Sequence, residues 1–479
     1  MKLLFTHSYF LQYDPKQVAH AQPYPPLGTI FAASLVRENG FSVKLFDTMF
    51  SHDPGEIIPV LEDYKPDVLV VYDDGFNYLT KMCLSNMRNA AFKMQGLAKK
   101  YGCEVIITSS DAADHYEKYL NNGADFVIIG EAEYTLLNLL QNIQKKQLDF
   151  EGIDGIAFKK EDKIIKTKKR APSKDLDQLP LPAWDLVNIE PYKKIWMEKH
   201  GYFSINIATT RGCPYKCNWC AKPMYGNAYN MRSEQNVIDE IKLLKRTFHF
   251  DHIWFCDDIF GLKRSWVSEF ASRVKKENLK FKYKIQSRAD LLVQEKYVEA
   301  LAESGCDDVW MGAESGSQKI LDAMDKGTTI EEIKEARKLL KQHGIKASFF
   351  LQFGYLGETM EDIHKTISLV KETMPDDIGI SVSYPLPGTL FYEKVKQDLA
   401  QKTNWTDSDE LAMMFKNTYP PAFYKILHRL MHSIYRKKRA SVNLDKRTEF
   451  PVRLKSVLSY LKYSCTEFIQ SYQLKQNMH

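Results

Sequence analysis

Cys213, Cys217 and Cys220 stand in the stretch ATTRGCPYKCNWCAKPMYG, residues 208–226, separated by three residues and then two. Thiolates select zinc, copper(I) or iron–sulfur clusters. A structural zinc site is closed and takes four ligands, and an iron–sulfur cluster normally takes four cysteines. Here no fourth cysteine follows nearby. Three thiolates on one short loop suit a cubane cluster in which one iron stays open to a small molecule. Zinc with a remote fourth ligand is the competing reading. Cys83, Cys103, Cys306 and Cys465 are scattered and read as packing residues, while Cys256 reads as a buried strand residue.

The loop needs elements to position it. From about residue 201, strand patterns (FSINIATT, HIWFCDDIF, KYKIQSR, DDVWMGAES, KASFFLQFG, IGISVSYP) alternate with helical ones such as SEQNVIDEIKLLKRTF and TIEEIKEARKLLKQHG. Six strand–helix units predict a partial parallel barrel over 201–400, with chemistry at the carboxyl ends of its strands. The cysteines follow the first of these strands directly. Residues 1–150 hold an earlier series, KLLFT, FSVKLFD, DVLVVYDD, CEVIITSS and DFVIIG, with helices between. That pattern predicts an α/β, doubly wound, flavodoxin-like parallel sheet with helices on both faces. Its ligand edge would carry Thr6, Asp47, Thr108, Ser109, Asp111, Gly130 and Glu131. Between the two series, residues 151–200 read as a hairpin with a charged turn and a proline-punctuated linker.

Residues 401–479 read as an α-helical, basic extension. Residues 421–479 carry 12 Lys/Arg against 3 Asp/Glu, a balance of +9, so the remaining residues carry 54 against 58, or −4. A nearly neutral body argues against nucleic acid as its substrate. Phe423, Ile426, Leu427, Leu430 and Ile434 fall on one helical face, and Val457, Leu458, Leu461 and Phe468 repeat the pattern. Such a stripe either packs on the barrel, the commoner fate, or lies on an anionic membrane. The second stripe is the better membrane candidate. No signal-peptide core or spanning segment is evident, and eight cysteines in a large chain suggest a reducing, cytoplasmic compartment.

The cysteine spacing, with aromatic Trp219 before the last thiol, resembles the radical S-adenosylmethionine (SAM) enzymes. FCDDIFG, GAESGS, FGYLGET and YPLPGT fall at successive strand ends, as in the subgroup with an N-terminal cobalamin domain. YPPLGTIFAASLVRENGFSVKLFD and ITSSDAADHYEKYLNNGADFVIIGEAEYTLLNLL are similar to that cobalamin-binding domain. The resemblance implies a 4Fe-4S cluster on the three cysteines, with SAM chelating the open iron and being cleaved to a 5′-deoxyadenosyl radical. It implies methyl transfer to an unactivated centre, as in the subgroup's methyltransferases, or oxidative cyclisation, as in the anaerobic magnesium-protoporphyrin monomethyl ester cyclase. A small-molecule substrate and an electron donor such as flavodoxin or ferredoxin follow from it.

Within that frame, Trp219, Asp257, Asp258, Glu314 and Ser315 are expected around SAM, with Arg288 pairing its carboxylate and Gly354 and Gly357 admitting the adenine. The alternative for Asp258 and Glu358 is to cap helices, and for Arg288 it is a structural ion pair. Pro25 and Leu27 join the strand-end residues as the expected cobalamin contacts. His7 is followed by Ser8, Tyr9 and Phe10 rather than the Asp-x-His-x-x-Gly of histidine-ligating domains, so cobalt without a protein histidine is expected. Ser109-Ser110 replaces the frequent Gly-Gly. The alternatives to the whole reading are a cobalamin-independent radical SAM oxidoreductase and a non-enzymatic cobalamin or iron–sulfur sensor.

Overall fold

The computed structural model describes the chain apart from residues 77–81, 83, 148, 222, 223, 400–403, 411, 446–449 and 479. The expectation for Cys83 lies outside the described residues. Five parallel strands, β1 (Lys2–Thr6), β2 (Ser42–Phe46), β3 (Val68–Tyr72), β4 (Glu104–Thr108) and β5 (Phe126–Ile128), lie in the order β2-β1-β3-β4-β5. This is the flavodoxin-like order, whose switch point between β1 and β3 opens a ligand crevice. Helices cover both faces, so β3 reads as an unbroken apolar run, VLVVY, and all five residues are buried.

The predicted hairpin forms from β6 (Ile156–Lys160) and β7 (Lys163–Lys166), but it belongs to this sheet: β6 pairs antiparallel with β5. The stretch read as linker also contains a helix, Glu190–His200, started by Pro191 and ended by Gly201 at φ 75°. It buries only Tyr192 and Trp196, too sparse an apolar face to show in the sequence pattern.

The second sheet is β8 (Ser204–Ile207), then β11 (His252–Phe255), β12 (Lys282–Ser287), β13 (Cys306–Glu314), β14 (Lys346–Phe353) and β15 (Asp377–Val382), all parallel and in chain order. Two short strands, β9 (Thr210–Arg211) and β10 (Asn230–Met231), form an antiparallel clip beside it. Among the described residues no pairing joins β15 to β8, which makes the barrel partial. One face carries Ile205, Ile253, Ile285, Val309 and Phe349, all fully buried in the main core. The opposite, inner face carries Trp254, Lys284, Gln286, Trp310 and Phe350, each half-buried.

The tail forms two helices, Pro421–Asp445 and Phe450–Gln476. The first packs Phe423, Ile426, Leu427, Leu430 and Ile434 into the core, so its stripe takes the packing fate. Cys103, Cys256 and Cys306 are buried as expected, but Cys465 is exposed on the second helix.

Candidate active site

The chain leaves β8 and turns sharply at Gly212 (φ 78°), where a Cβ would stand 2.2 Å from the Ala228 carbonyl oxygen. Asp257, beyond the end of β11, fixes this exit. Its carboxylate accepts the Thr209 and Thr210 N–H groups at 2.7 and 2.9 Å and the Thr209 hydroxyl at 2.5 Å. Burial pushes the Asp257 carboxyl up to about 7.

Cys213, Cys217 and Cys220 follow, each partly exposed. Asn218, between two of them, is 3% exposed and acts as the pin. Its N–H donates to Met324 O, and its amide donates to Ala323 O and Asp325, while its side-chain oxygen accepts from the Tyr355 hydroxyl. Sequence reasoning missed Asn218 because its partners lie more than a hundred residues away along the chain.

Two cations flank the loop. Arg288 lies 3.5 Å from the Tyr215 ring centre, pairs with Asp290 at 2.9 Å, donates to Lys326 O at 2.8 Å, and places Nη1 3.9 Å from Cys217 Sγ. Lys326 is buried and pairs with Glu314 at 2.8 Å. Burial opposes its charge, yet the Glu314 carboxylate and Cys217 hold the ammonium above its ordinary value. Positive charge here stabilises the negative charge that thiolate ligands carry. Among the described residues no three His, Cys, Asp or Glu side chains are grouped for a single metal ion. Three thiols on one loop, flanked by two cations, are a donor set that suits an iron–sulfur cluster.

The other expected SAM residues divide. Trp219 stands beside the thiols with its indole N–H buried and without a protein partner among the described residues. Asp258 is exposed, Glu314 holds Lys326, and Ser315 is hydrogen-bonded to Thr366. Arg288 is held by protein partners, as an ion pair with Asp290 rather than a free guanidinium. Gly357 (φ 77°) has open space where a Cβ would sit. Gly354 (φ 77°) does not: the tail's Met413, Tyr424 and Asn417 crowd that position at 2.4–3.1 Å. Glu358 accepts the Gly354 N–H at 2.6 Å, and Thr359 caps the next helix in its place.

The edge of the first sheet meets this loop. A Cβ on Gly75 would lie 3.3 Å from Met224 and 3.5 Å from the Tyr225 hydroxyl, and one on Gly130 would lie 3.7 Å from Met224 O. Arg211, one residue before Gly212, ion-pairs with Glu131 and with Glu133, the latter at 2.7 Å, and all three are at most 5% exposed. Nothing in the sequence marked Arg211 beyond its place beside the cysteines.

Several acids expected at the cofactor edge turn inward to protein donors. Glu131 is held by Arg211 and the Ser173 N–H. Asp111 is held by Arg88 at 2.5 and 2.6 Å and by the Tyr119 hydroxyl at 2.6 Å. Asp47 is held by His7 at 2.8 Å and the Tyr192 hydroxyl at 2.6 Å. Ser109 caps the helix Ser110–Asp114, Thr6 is buried at the end of β1, and the Leu27 N–H donates to Asp74. Pro25 offers its carbonyl to Asn206 of β8. Thr108 and Ser110 differ: each hydroxyl is buried with no protein partner among the described residues.

The comparisons with known proteins fall on the same residues. The model of the radical SAM superfamily matches residues 207–370, which contain the three cysteines. Residues 207–370 are a radical SAM domain, and the chain is an enzyme. It is 27% identical over 420 residues to an uncharacterized methyltransferase of Pyrococcus horikoshii, covering 86% of this chain and 88% of that protein. It is 26% identical over 449 residues to the anaerobic magnesium-protoporphyrin IX monomethyl ester cyclase of Rubrivivax gelatinosus, covering 91% and 77%. Its fold is similar to that of the radical SAM methyltransferase TsrM of Kitasatospora setae, solved with cobalamin and a [4Fe-4S] cluster (TM-score 0.69, 16% identity, 83% of this chain and 74% of that one).

The radical SAM domain thus rests on Asp257 as a clamp, which gives a test. An amide can accept both N–H groups and donate to the Thr209 hydroxyl, whereas a methyl group can do neither. Asp257→Asn is expected to keep its iron after reconstitution, and Asp257→Ala to lose most of it. The folded carboxyl titrates above its unfolded value, so it binds its proton more tightly in the folded chain. Its contribution is full below the ordinary carboxylate range and declines as pH rises through about 7. Urea midpoints compared between pH 5 and pH 8 should show that decline in the native chain and not in Asp257→Asn. Equal iron in Asn and Ala variants would remove the clamp role.

Proposed function

We propose that the chain is a cobalamin-dependent radical SAM enzyme, catalysing methyl transfer to, or oxidative cyclisation of, an unactivated centre of a small molecule. The observation that carries this reading is the contact between the cysteine loop and the carboxyl edge of the flavodoxin-like sheet, made through Arg211, Met224 and Tyr225. A ligand at the sheet edge and one at the loop would face a common space.

Cys213, Cys217 and Cys220 would hold the 4Fe-4S cluster, which supplies the electron that cleaves SAM. Arg288 and Lys326 balance its charge, and Asn218 and Asp257 fix the loop. Trp219 and Gly357 offer SAM an N–H donor and an open backbone. Cobalamin would sit at the first sheet, where Thr108 and Ser110 hold unspent hydroxyls beside Ser109 and Gly130. His7 bonds Asp47 through one ring nitrogen and Thr48 through the other, which supports cobalt without a histidine ligand. The inner barrel face, with Trp254, Lys284, Trp310 and Phe350, would line the substrate cavity. An electron donor such as flavodoxin or ferredoxin and a cytoplasmic setting complete the reading.

Gel filtration after incubation with hydroxocobalamin should leave about one corrin per chain, as one sheet-edge site requires. Its paramagnetic resonance spectrum should show no splitting from a histidine nitrogen. Thr108→Val removes a buried hydroxyl that has no protein partner among the described residues, so the fold should be no less stable. Corrin affinity should fall about five- to tenfold, the worth of one hydrogen bond. Anaerobic incubation with methyl-labelled SAM and cell extract should yield deoxyadenosine and a labelled product. Deoxyadenosine without any bound corrin would favour the cobalamin-independent oxidoreductase; no deoxyadenosine at all would leave the sensor.

A further inference from the structure

The last helix, Phe450–Gln476, lies on the outside of the molecule, stacked on Pro421–Asp445. Lys437 of the inner helix pairs with Glu467 at 3.0 Å, and Arg436 lies over the Tyr463 ring. Ser456 and Leu474 face that contact and are buried. The opposite side of the helix is apolar and bare. Leu454 is 48% exposed, Leu458 60%, Leu461 56%, Phe468 77% and Tyr472 61%. With exposed Cys465, these fall at steps of four, three, four, three and four residues, one above another along the helix. Val457 and Ile469, 38% and 55% exposed, widen the stripe. A contiguous apolar face of this length is unusual on a soluble surface and marks an interaction site.

The charges along its margins choose the partner. At 100° per residue, Lys455 and Lys462 border one side, and Arg453 and Lys475 the other. The helix contains a single acid, Glu467, and Lys437 holds it on the packed side. A second copy of the helix would bring lysine against lysine or against apolar residues, with no opposite charges to set a register. An anionic surface meets every one of these cations. Exposed Arg436, Lys438 and Arg439 on the inner helix add to the positive field. No helix among the described residues is long and apolar enough to cross a membrane. A helix with aromatic and leucine residues on one face and cations at its rim lies in the plane of a lipid interface.

We infer that the outer face of helix Phe450–Gln476 docks the enzyme on an anionic lipid bilayer, with Leu458, Leu461, Phe468 and Tyr472 entering the headgroup boundary and Arg453, Lys455, Lys462 and Lys475 at the phosphates. Docking is separate from the cofactor chemistry, because the helix that carries these residues stacks on Pro421–Asp445.

Co-sedimentation of the full-length protein with vesicles tests this. Vesicles of phosphatidylcholine with about one-third phosphatidylglycerol should pellet the protein, and pure phosphatidylcholine should pellet far less; binding should weaken as salt rises. Leu458→Gln with Phe468→Gln keeps the charge and alters only exposed side chains. It should lower the partition coefficient at least about tenfold, with unchanged iron content and deoxyadenosine formation. Lys455→Gln with Lys462→Gln should lower binding to anionic vesicles only. Equal pelleting of the native and Leu458→Gln/Phe468→Gln proteins, or no preference for anionic lipid, would overturn the proposal. So would a native dimer by sedimentation equilibrium that becomes monomeric in the same double variant, since the face would then belong to a second copy.

Discussion

Cys213→Ala, Cys217→Ala and Cys220→Ala are each expected to abolish cluster assembly and SAM cleavage. The native chain, reconstituted anaerobically, should bind about four irons, the cubane stoichiometry. All three thiols lie on one loop held at Thr209, Thr210 and Asn218, and no other cysteine among the described residues is near enough in sequence to replace one. Two thiolates cannot hold a cubane with an open iron, so the loss in each variant should be nearly complete rather than graded. Iron analysis, the charge-transfer absorbance and deoxyadenosine production measure it separately. Full iron and full cleavage in any one variant would end the assignment. Cys256→Ala provides the control: Cys256 is buried in the core behind the strand end, and its loss should leave iron unchanged.

Removing the cation that joins the two sheets should have the largest effect on stability. Arg211 is 4% exposed and stands among the Phe31, Phe76 and Tyr225 rings at 5.2–5.8 Å. Arg211→Met leaves Glu131 and Glu133 buried without a cation, a change of about 3–5 kcal/mol. The carboxyl of Glu131 already sits above its ordinary value through burial, against the opposing pull of Arg211, and without that cation it should rise further. The urea midpoint should therefore fall sharply at pH 8 and less at pH 5, where protonation relieves the stranded charge. Arg211→Lys should recover little, since one ammonium cannot replace a planar fork that reaches two carboxylates. Adding Glu131→Gln and Glu133→Gln to Arg211→Met should restore part of the stability by removing the stranded charge. A midpoint for Arg211→Met equal to that of the native chain would show that the triad holds nothing.

Sequence alone determined the parts whose cause is local. Alternating apolar runs and helical periodicities are set within ten or fifteen residues, and the parallel strands of both sheets emerge where those patterns place them. Three thiols within eight residues share a loop in any fold, so their grouping was legible from their spacing. The stripe of the inner tail helix was legible as apolar, though what covers it was not.

Tertiary structure decided whom each buried charge meets. Asp257, Arg288, Glu131 and Asp111 stand at strand ends, where the barrel and sheet patterns place ligand contacts, and each is instead satisfied by protein groups. For Arg88 with Asp111 the partner is 23 residues away along the chain, for Asp257 with Thr209 it is 48, and for Arg211 with Glu131 it is 80. A strand end fixes where a side chain begins. Which donor reaches it depends on how two sheets and a tail dock, and desolvation then makes that choice binding, because a buried charge without a partner costs several kcal/mol. The same docking filled the space at Gly354 with the tail, left the Thr108 and Ser110 hydroxyls without protein partners among the described residues, and left one face of the last helix bare.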